Sequence, residues 1–124
     1  MEDQFLTIEQ VKELRNLGVN LDSANFGIYN FYDSLSDDEI NEIRQIDSGI
    51  KHRLVSKTLS IPEMIQMLPD SIMSCKSEPA YLHIDKHETG YITKTNDTVY
   101  LTINFLLRDS LFIVLKYLKI KKLI

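Results

Sequence analysis

The fold class is decided by the last third of the chain, above all by residues 81–105, YLHIDKHETGYITKTNDTVYLTINF. Three runs within it, residues 81–85, 90–95 and 98–105, are rich in the β-branched and aromatic side chains that favour strands. The two connections between these runs are short and polar. Because short connections join neighbouring antiparallel strands, the segment predicts a three-stranded antiparallel meander.

The residues that follow the meander predict a C-terminal helix over residues 109–121. Leu111, Leu115 and Leu118 form one stripe at helical spacing. Lysines cluster near the end of this segment, where the negative end of a helix dipole favours cations. The stripe needs a partner surface, and the meander supplies one, so we expect the helix to pack on one face of the sheet.

The opening of the chain predicts a helix over residues 8–17. Thr7 and Gln10 have the spacing of a capping box, in which each residue hydrogen-bonds to the backbone of the other. Gly18 supplies a residue that adopts the left-handed conformation easily, and Val19 can then fold back onto the helix.

The middle of the chain contributes segments of several kinds. We predict a strand over residues 26–32, a helix over 37–46, a loop over 48–59, a helix from the capping box at 60–63 to Pro69, and a connector over 71–79. The chain is therefore predicted to be an α+β protein. One antiparallel sheet, the meander plus the earlier strand, is packed by about four helices.

Length and composition predict one globular domain over residues 1–124. The chain is 44% hydrophobic and 26% charged, as is ordinary for globular proteins. Cys75 is the only cysteine, so no intrachain disulfide can form. The acidic start lacks the pattern of a signal peptide, and charged residues interrupt the longest apolar region, residues 101–118. We therefore expect a cytoplasmic protein with no membrane partner.

Charge is distributed unevenly along the chain. Residues 1–47 carry eleven acids and three bases, whereas residues 48–124 carry seven acids and eleven bases. Lys116, Lys119 and Lys121 would lie near one another on the last helix, which makes nucleic-acid binding one alternative function. The domain as a whole is acidic, with a pI of about 5.3, and carries no nucleic-acid-binding motif, so we expect solvated charge here instead.

A cluster of potential metal ligands lies at the first connection of the meander. His83, Asp85 and His87 alternate along the chain, and imidazole and carboxylate groups are competent ligands for zinc or iron. A small metal-dependent enzyme is therefore a second alternative. The polar outward face of a half-buried strand explains the same pattern without a metal.

Motifs of the common enzyme classes are absent from the sequence. The four glycines are too far apart for a phosphate-binding loop, and there is no pair of CxxC motifs, no HExxH and no nucleophile elbow. We therefore predict a binding or accessory protein that acts through a protein partner and that has neither enzymatic activity nor a cofactor.

Three segments also carry a resemblance: LTIEQVKELRNLGVN at residues 6–20, LSIPEMIQMLP at 59–69, and DSL at 109–111. With these segments the chain resembles small uncharacterised proteins of Bacteroides-type gut bacteria and their prophages. The resemblance implies an opening helix, a helix in the middle of the chain that ends in Leu-Pro, then strands and a C-terminal helix. It implies a mobile-element setting and no particular activity.

Overall fold

A computed structural model describes residues 2–30, 41–50, 52–74 and 77–124. These residues form an α+β fold with three α-helices, one short 3-10 helix and two antiparallel sheets. The α+β class is confirmed. The single sheet is corrected to two, and among the described residues three α-helices replace the expected four. The chain divides into two compact units, Met1–Ser60 and Ile61–Ile124.

The first unit is built on a three-stranded sheet. Its elements are the 3-10 helix Glu2–Gln4, α1 (Ile8–Asn16), β1 (Phe26–Asn30), β2 (Asn41–Gln45) and β3 (Arg53–Thr58). The central strand is β1, with β2 and β3 antiparallel on either side, and α1 packs on β3. Residues 31 and 32 of the predicted strand lie outside the described residues.

The first helix confirms the capping signals of the sequence. Gln10 donates its backbone N–H to Thr7 Oγ1 at 3.2 Å, and Thr7 donates its own to Gln10 Oε1 at 3.0 Å. At the other end Gly18 has a φ of 91°, and the Val19 N–H donates to the Leu14 carbonyl at 3.0 Å. Because these two signals are local, the helix ends within one residue of the prediction.

The first unit is tied together by bonds between its first and last residues. The Leu6 N–H donates to the Leu59 carbonyl at 3.0 Å, and the Thr58 hydroxyl donates to the Leu6 carbonyl at 2.8 Å. Phe5 forms an isolated antiparallel bridge with Ser60. Leu6 and Thr58 are fully buried, so these bonds lie in the core of the unit.

The helix predicted over residues 37–46 is wrong in its described part, because residues 41–45 form β2. The prediction rested on the three-residue spacing of Ile40, Ile43 and Ile46. Only Ile43 lies within the strand, where it pairs with Ile28 of β1. Pairing with a buried strand therefore overrides the local pattern. Residues 37–40 lie outside the described part of the chain.

The loop predicted over residues 48–59 is also wrong, because it contains β3. Ser56 pairs with Ile28 and Leu54 with Tyr29, so Val55 is an extra residue that forms a bulge. The bulge interrupts the two-residue alternation by which a strand is recognised in a sequence.

The second unit is built on a four-stranded sheet. Its elements are α2 (Ile61–Met67), β4 (Ser71–Met73), β5 (Pro79–Ile84), β6 (Glu88–Thr93), β7 (Thr98–Ile103) and α3 (Leu107–Ile120). The strands lie in the order β4-β5-β6-β7, each antiparallel to its neighbour. The three strands of the predicted meander are present as β5, β6 and β7, but their sheet has a fourth strand, β4, and does not include β1. The connector predicted over residues 71–79 contains β4, which at three residues is too short to show a period.

One face of this sheet forms the core with α3. Leu111, Leu115 and Leu118 of α3 are fully buried, as their spacing predicts. On the sheet, Tyr91 is fully buried and donates its hydroxyl to the Pro69 carbonyl at 2.7 Å. Burial, with a smaller effect of the Asp70 charge, raises the pKa of Tyr91 to about 12.

Candidate functional site

The other face of the four-stranded sheet carries a set of apolar side chains that reach solvent. Alternation along the strands and the registers between them assign its members. We call this surface the open face and define it by Met73 of β4, Tyr81 of β5, Ile92 of β6, and Leu101 and Ile103 of β7. Tyr81 lies directly opposite Ile92, and Ile103 directly opposite Glu88.

The exposure of the open face is unusual for such side chains. Ile103 is 65% exposed, Met73 62% and Tyr81 40%. Phe105 follows β7 and is 89% exposed, with its ring stacked on His87 at a centroid distance of 6.4 Å. By the strand registers Ile103 and Phe105 lie at one end of the sheet and Met73 at the opposite corner, and exposed large apolar side chains such as Ile103 and Phe105 mark surfaces that bind other molecules.

The centre of the open face has no side chain, because Gly90 lies there between His83 of β5 and Leu101 of β7. A Cβ atom on Gly90 would lie 2.8 Å from the Leu101 Cα and would collide with the Tyr100 carbonyl oxygen. The close approach of β6 and β7 therefore requires glycine at this position.

Polar groups lie within the open face and beside it, since His83 pairs with Gly90 and Glu88 with Ile103. His83 Nε2 and Glu88 Oε2 are 3.2 Å apart, and both side chains are half-buried. Lys94 places its Nζ 5.7 Å from the centroid of the Tyr81 ring. The face therefore combines apolar side chains with polar groups, as surfaces that bind proteins do.

The structure does not group the candidate metal ligands His83, Asp85 and His87 into one site. His83 pairs with Glu88, whereas the His87 Nδ1–H donates to the Phe105 carbonyl at 3.0 Å. The Asp85 carboxylate accepts the N–H of the next residue at 2.7 Å. Among the described residues, which exclude Cys75, no three His, Cys, Asp or Glu side chains are grouped so that they could hold a metal ion.

The predicted nucleic-acid residues lie along α3 and just after it. Lys116 places its Nζ 5.3 Å from the Phe112 ring centroid, Lys119 is partly exposed, and Lys121 is exposed at the helix C-cap. The aromatic ring between them, Tyr117, stacks on a residue of the sheet instead of standing free for a nucleic-acid base.

The open face was not identified from the sequence, although alternation along residues 98–105 separates the two sides of the strand. The sequence places Leu101 and Ile103 on one side and Tyr100 and Thr102 on the other. Aliphatic side chains usually face the core of a protein, yet α3 covers the side of β7 that carries Tyr100. Gly90 lies on the same side of the sheet as Leu101, but the strand pairing that shows this is not visible in the sequence.

No helix in the described part of the chain is both long enough and apolar enough to cross a membrane. Comparison of the chain with protein-family models, with curated proteins and with solved structures found no match.

Proposed function

We propose that this chain is a non-enzymatic binding protein that docks another protein on the open face, with Phe105 as an additional anchor. The observation that carries the proposal is the exposure of Ile103 and Phe105, two large apolar side chains at the same end of the sheet. Aromatic and large aliphatic side chains contribute most of the binding energy at protein interfaces when a partner buries them.

The physical basis is the hydrophobic effect acting on surface that folding leaves in water. Each square ångström of apolar surface removed from water contributes about 25 cal/mol, from which the entropic cost of association is subtracted. The His83–Glu88 pair lies on the same face beside Gly90 and Ile103, and Lys94 lies over the Tyr81 ring, so polar groups that keep part of their hydration can orient a partner. As part of this proposal, we also infer the cytoplasmic location and the mobile-element setting that are expected from the sequence.

The test begins with partner capture by a photo-crosslinking amino acid at position 105. The same amino acid at Leu54 is the matched control, because Leu54 is an exposed apolar residue of the other unit. We expect a partner that is captured from position 105 and not from position 54.

The captured partner is then purified and titrated against variants. Ile103→Asp and Phe105→Asp should each weaken binding at least tenfold, because each places a charge where apolar surface is buried. Leu54→Asp should bind like the parent chain. Equal binding by all three variants, or capture from position 54 alone, would contradict the proposal.

A further inference from the structure

The edge strand β7 of the four-stranded sheet lacks the residues that usually prevent edge pairing. In the described part of the chain, β7 has a hydrogen-bonded neighbour only on the β6 side. Its sequence, TVYLTI at Thr98–Ile103, contains no charged residue and no proline. Proteins usually place charged residues or proline on edge strands to prevent pairing with another strand. Edge strands that are uncharged and rich in β-branched residues are prone to such pairing.

The hydrogen-bond pattern identifies which backbone groups point away from the sheet. The Asn104 N–H donates to the His87 carbonyl at 2.9 Å. Because hydrogen-bonded and non-hydrogen-bonded pairs alternate in an antiparallel ladder, Tyr100 and Thr102 bond to β6. The N–H and C=O groups of Leu101 and Ile103 then point outward from the free edge.

We propose that a second copy of this chain pairs with β7 in antiparallel orientation, centred on Leu101, and so joins two four-stranded sheets into one of eight strands. A twofold axis through this residue places Leu101 opposite Leu101 of the partner subunit. The same operation places Val99 opposite Ile103 of the partner subunit.

Two features of β7 support a second copy as the occupant. Opposite residues in an antiparallel pair project from the same face, and in this register all open-face pairs are aliphatic, which favours pairing. The strand also has no charge, so self-pairing brings no like charges opposite each other. The other edge strand, β4, is only three residues long and follows Asp70, and is therefore less suited to pairing.

The expected dimer is weak. A register shift between Tyr91 and Ile92 makes Val99 the extra residue of a bulge, so regular pairing is limited to residues 99–103. Five paired residues bury less than the roughly 1,200 Å² typical of stable interfaces. We therefore expect a monomer–dimer equilibrium that depends on protein concentration.

Sedimentation velocity of the pure full-length chain, from low micromolar to near millimolar concentration, tests the dimer. We expect the sedimentation coefficient to rise with concentration. Leu101→Lys should abolish this concentration dependence, because two ammonium groups would meet at the twofold axis. Tyr81→Lys, on the same face but away from the edge strand, should retain the concentration dependence. Circular dichroism verifies that both variants fold. A parent chain that stays monomeric, or a folded Leu101→Lys variant that still dimerises, would overturn the proposal.

Disulfide formation tests the register without a charged substitution. In a Cys75→Ser background, Leu101→Cys places two Cα atoms about 5.5 Å apart, which suits a disulfide. Ile103→Cys is the matched control, since its two copies would lie about 14 Å apart. Equal or faster crosslinking through Ile103→Cys would overturn the register. Both experiments use the pure chain, so their failure leaves the proposed docking of another protein unaffected.

Discussion

Tyr100 of β7 and Tyr117 of α3 stack face to face, with ring centroids 3.8 Å apart and ring planes within 5° of parallel. This contact packs α3 against β7, the edge strand of the sheet. Partial burial, then the neighbouring Tyr117, raises the pKa of Tyr100, and Lys116 opposes this effect. The contact also withdraws Tyr117 from the surface on which nucleic-acid binding would depend.

A double-mutant cycle measures this contact. We expect Tyr100→Leu and Tyr117→Leu together to lose about 1 kcal/mol less stability than the sum of the single losses, because either substitution already removes the stack. Urea unfolding of the four proteins gives the coupling energy. A coupling energy indistinguishable from zero would mean that the rings are adjacent without stabilising each other.

Gly90→Ala should destabilise the protein strongly, by about 2–4 kcal/mol, because the new methyl group meets the backbone of β7 at Tyr100 and Leu101. Gly49→Ala is the matched control, since its nearest neighbour is an Asp47 side-chain oxygen at 3.6 Å. Thermal unfolding compares the two variants. A small effect at position 90 would show that the two strands can separate without loss of packing.

Stability should fall at alkaline pH because of Tyr91. Its pKa is about 12 in the folded chain and 10.0 in a model compound, so ionisation favours unfolding. The free energy that this pKa difference contributes to folding is fully present below pH 10. About 2–3 kcal/mol of this free energy is lost as the pH rises toward 12. Tyr91→Phe should be less stable at neutral pH, because it lacks the bond to Pro69, but should lose less stability on alkaline titration. Parallel alkaline slopes would contradict this assignment.

Zinc should not stabilise the chain. His83 and His87 direct ring nitrogens to different partners, Glu88 and the Phe105 carbonyl, so binding one ion would require both contacts to break. We expect no shift in the unfolding midpoint on adding zinc, manganese or iron to untagged protein. Near-stoichiometric metal after purification, lost in His83→Ala, would reverse this conclusion and favour the enzyme alternative.

The parts of the fold that the sequence predicts correctly are those with signals close together in the chain. The box at Thr7 and Gln10 places the start of α1, and the stripe of Leu111, Leu115 and Leu118 identifies α3. The prediction fails for β2 and β3, which depend on pairing with β1. Neither strand alternates regularly, and β3 contains a bulge. Pairing between distant segments is a tertiary property that a local pattern does not contain.

The candidate site was less predictable than the fold. Alternation separates the two sides of β7, but it does not say which side the helix covers. The side of β7 that α3 covers carries Tyr100, whose ring stacks on Tyr117, and no spacing rule predicts this contact. His83, Asp85 and His87 can be named as candidate ligands from the sequence because their side chains have recognisable metal chemistry. Ile103 and Phe105 can be identified as site residues only from their exposure in the structure.

The bonds that join Leu6 to Leu59 and Thr58 have a consequence for synthesis on the ribosome. The Leu6 N–H and C=O groups lie near the start of the chain, and their partners are translated more than fifty residues later. The first unit therefore cannot complete its core until residue 60 has left the exit tunnel. The meander and α3, by contrast, join segments that follow one another directly, so loop closure is short and they can form as soon as they emerge. Translation that slows while residues 53–60 are still inside the exit tunnel would expose the first strand to wrong partners for longest.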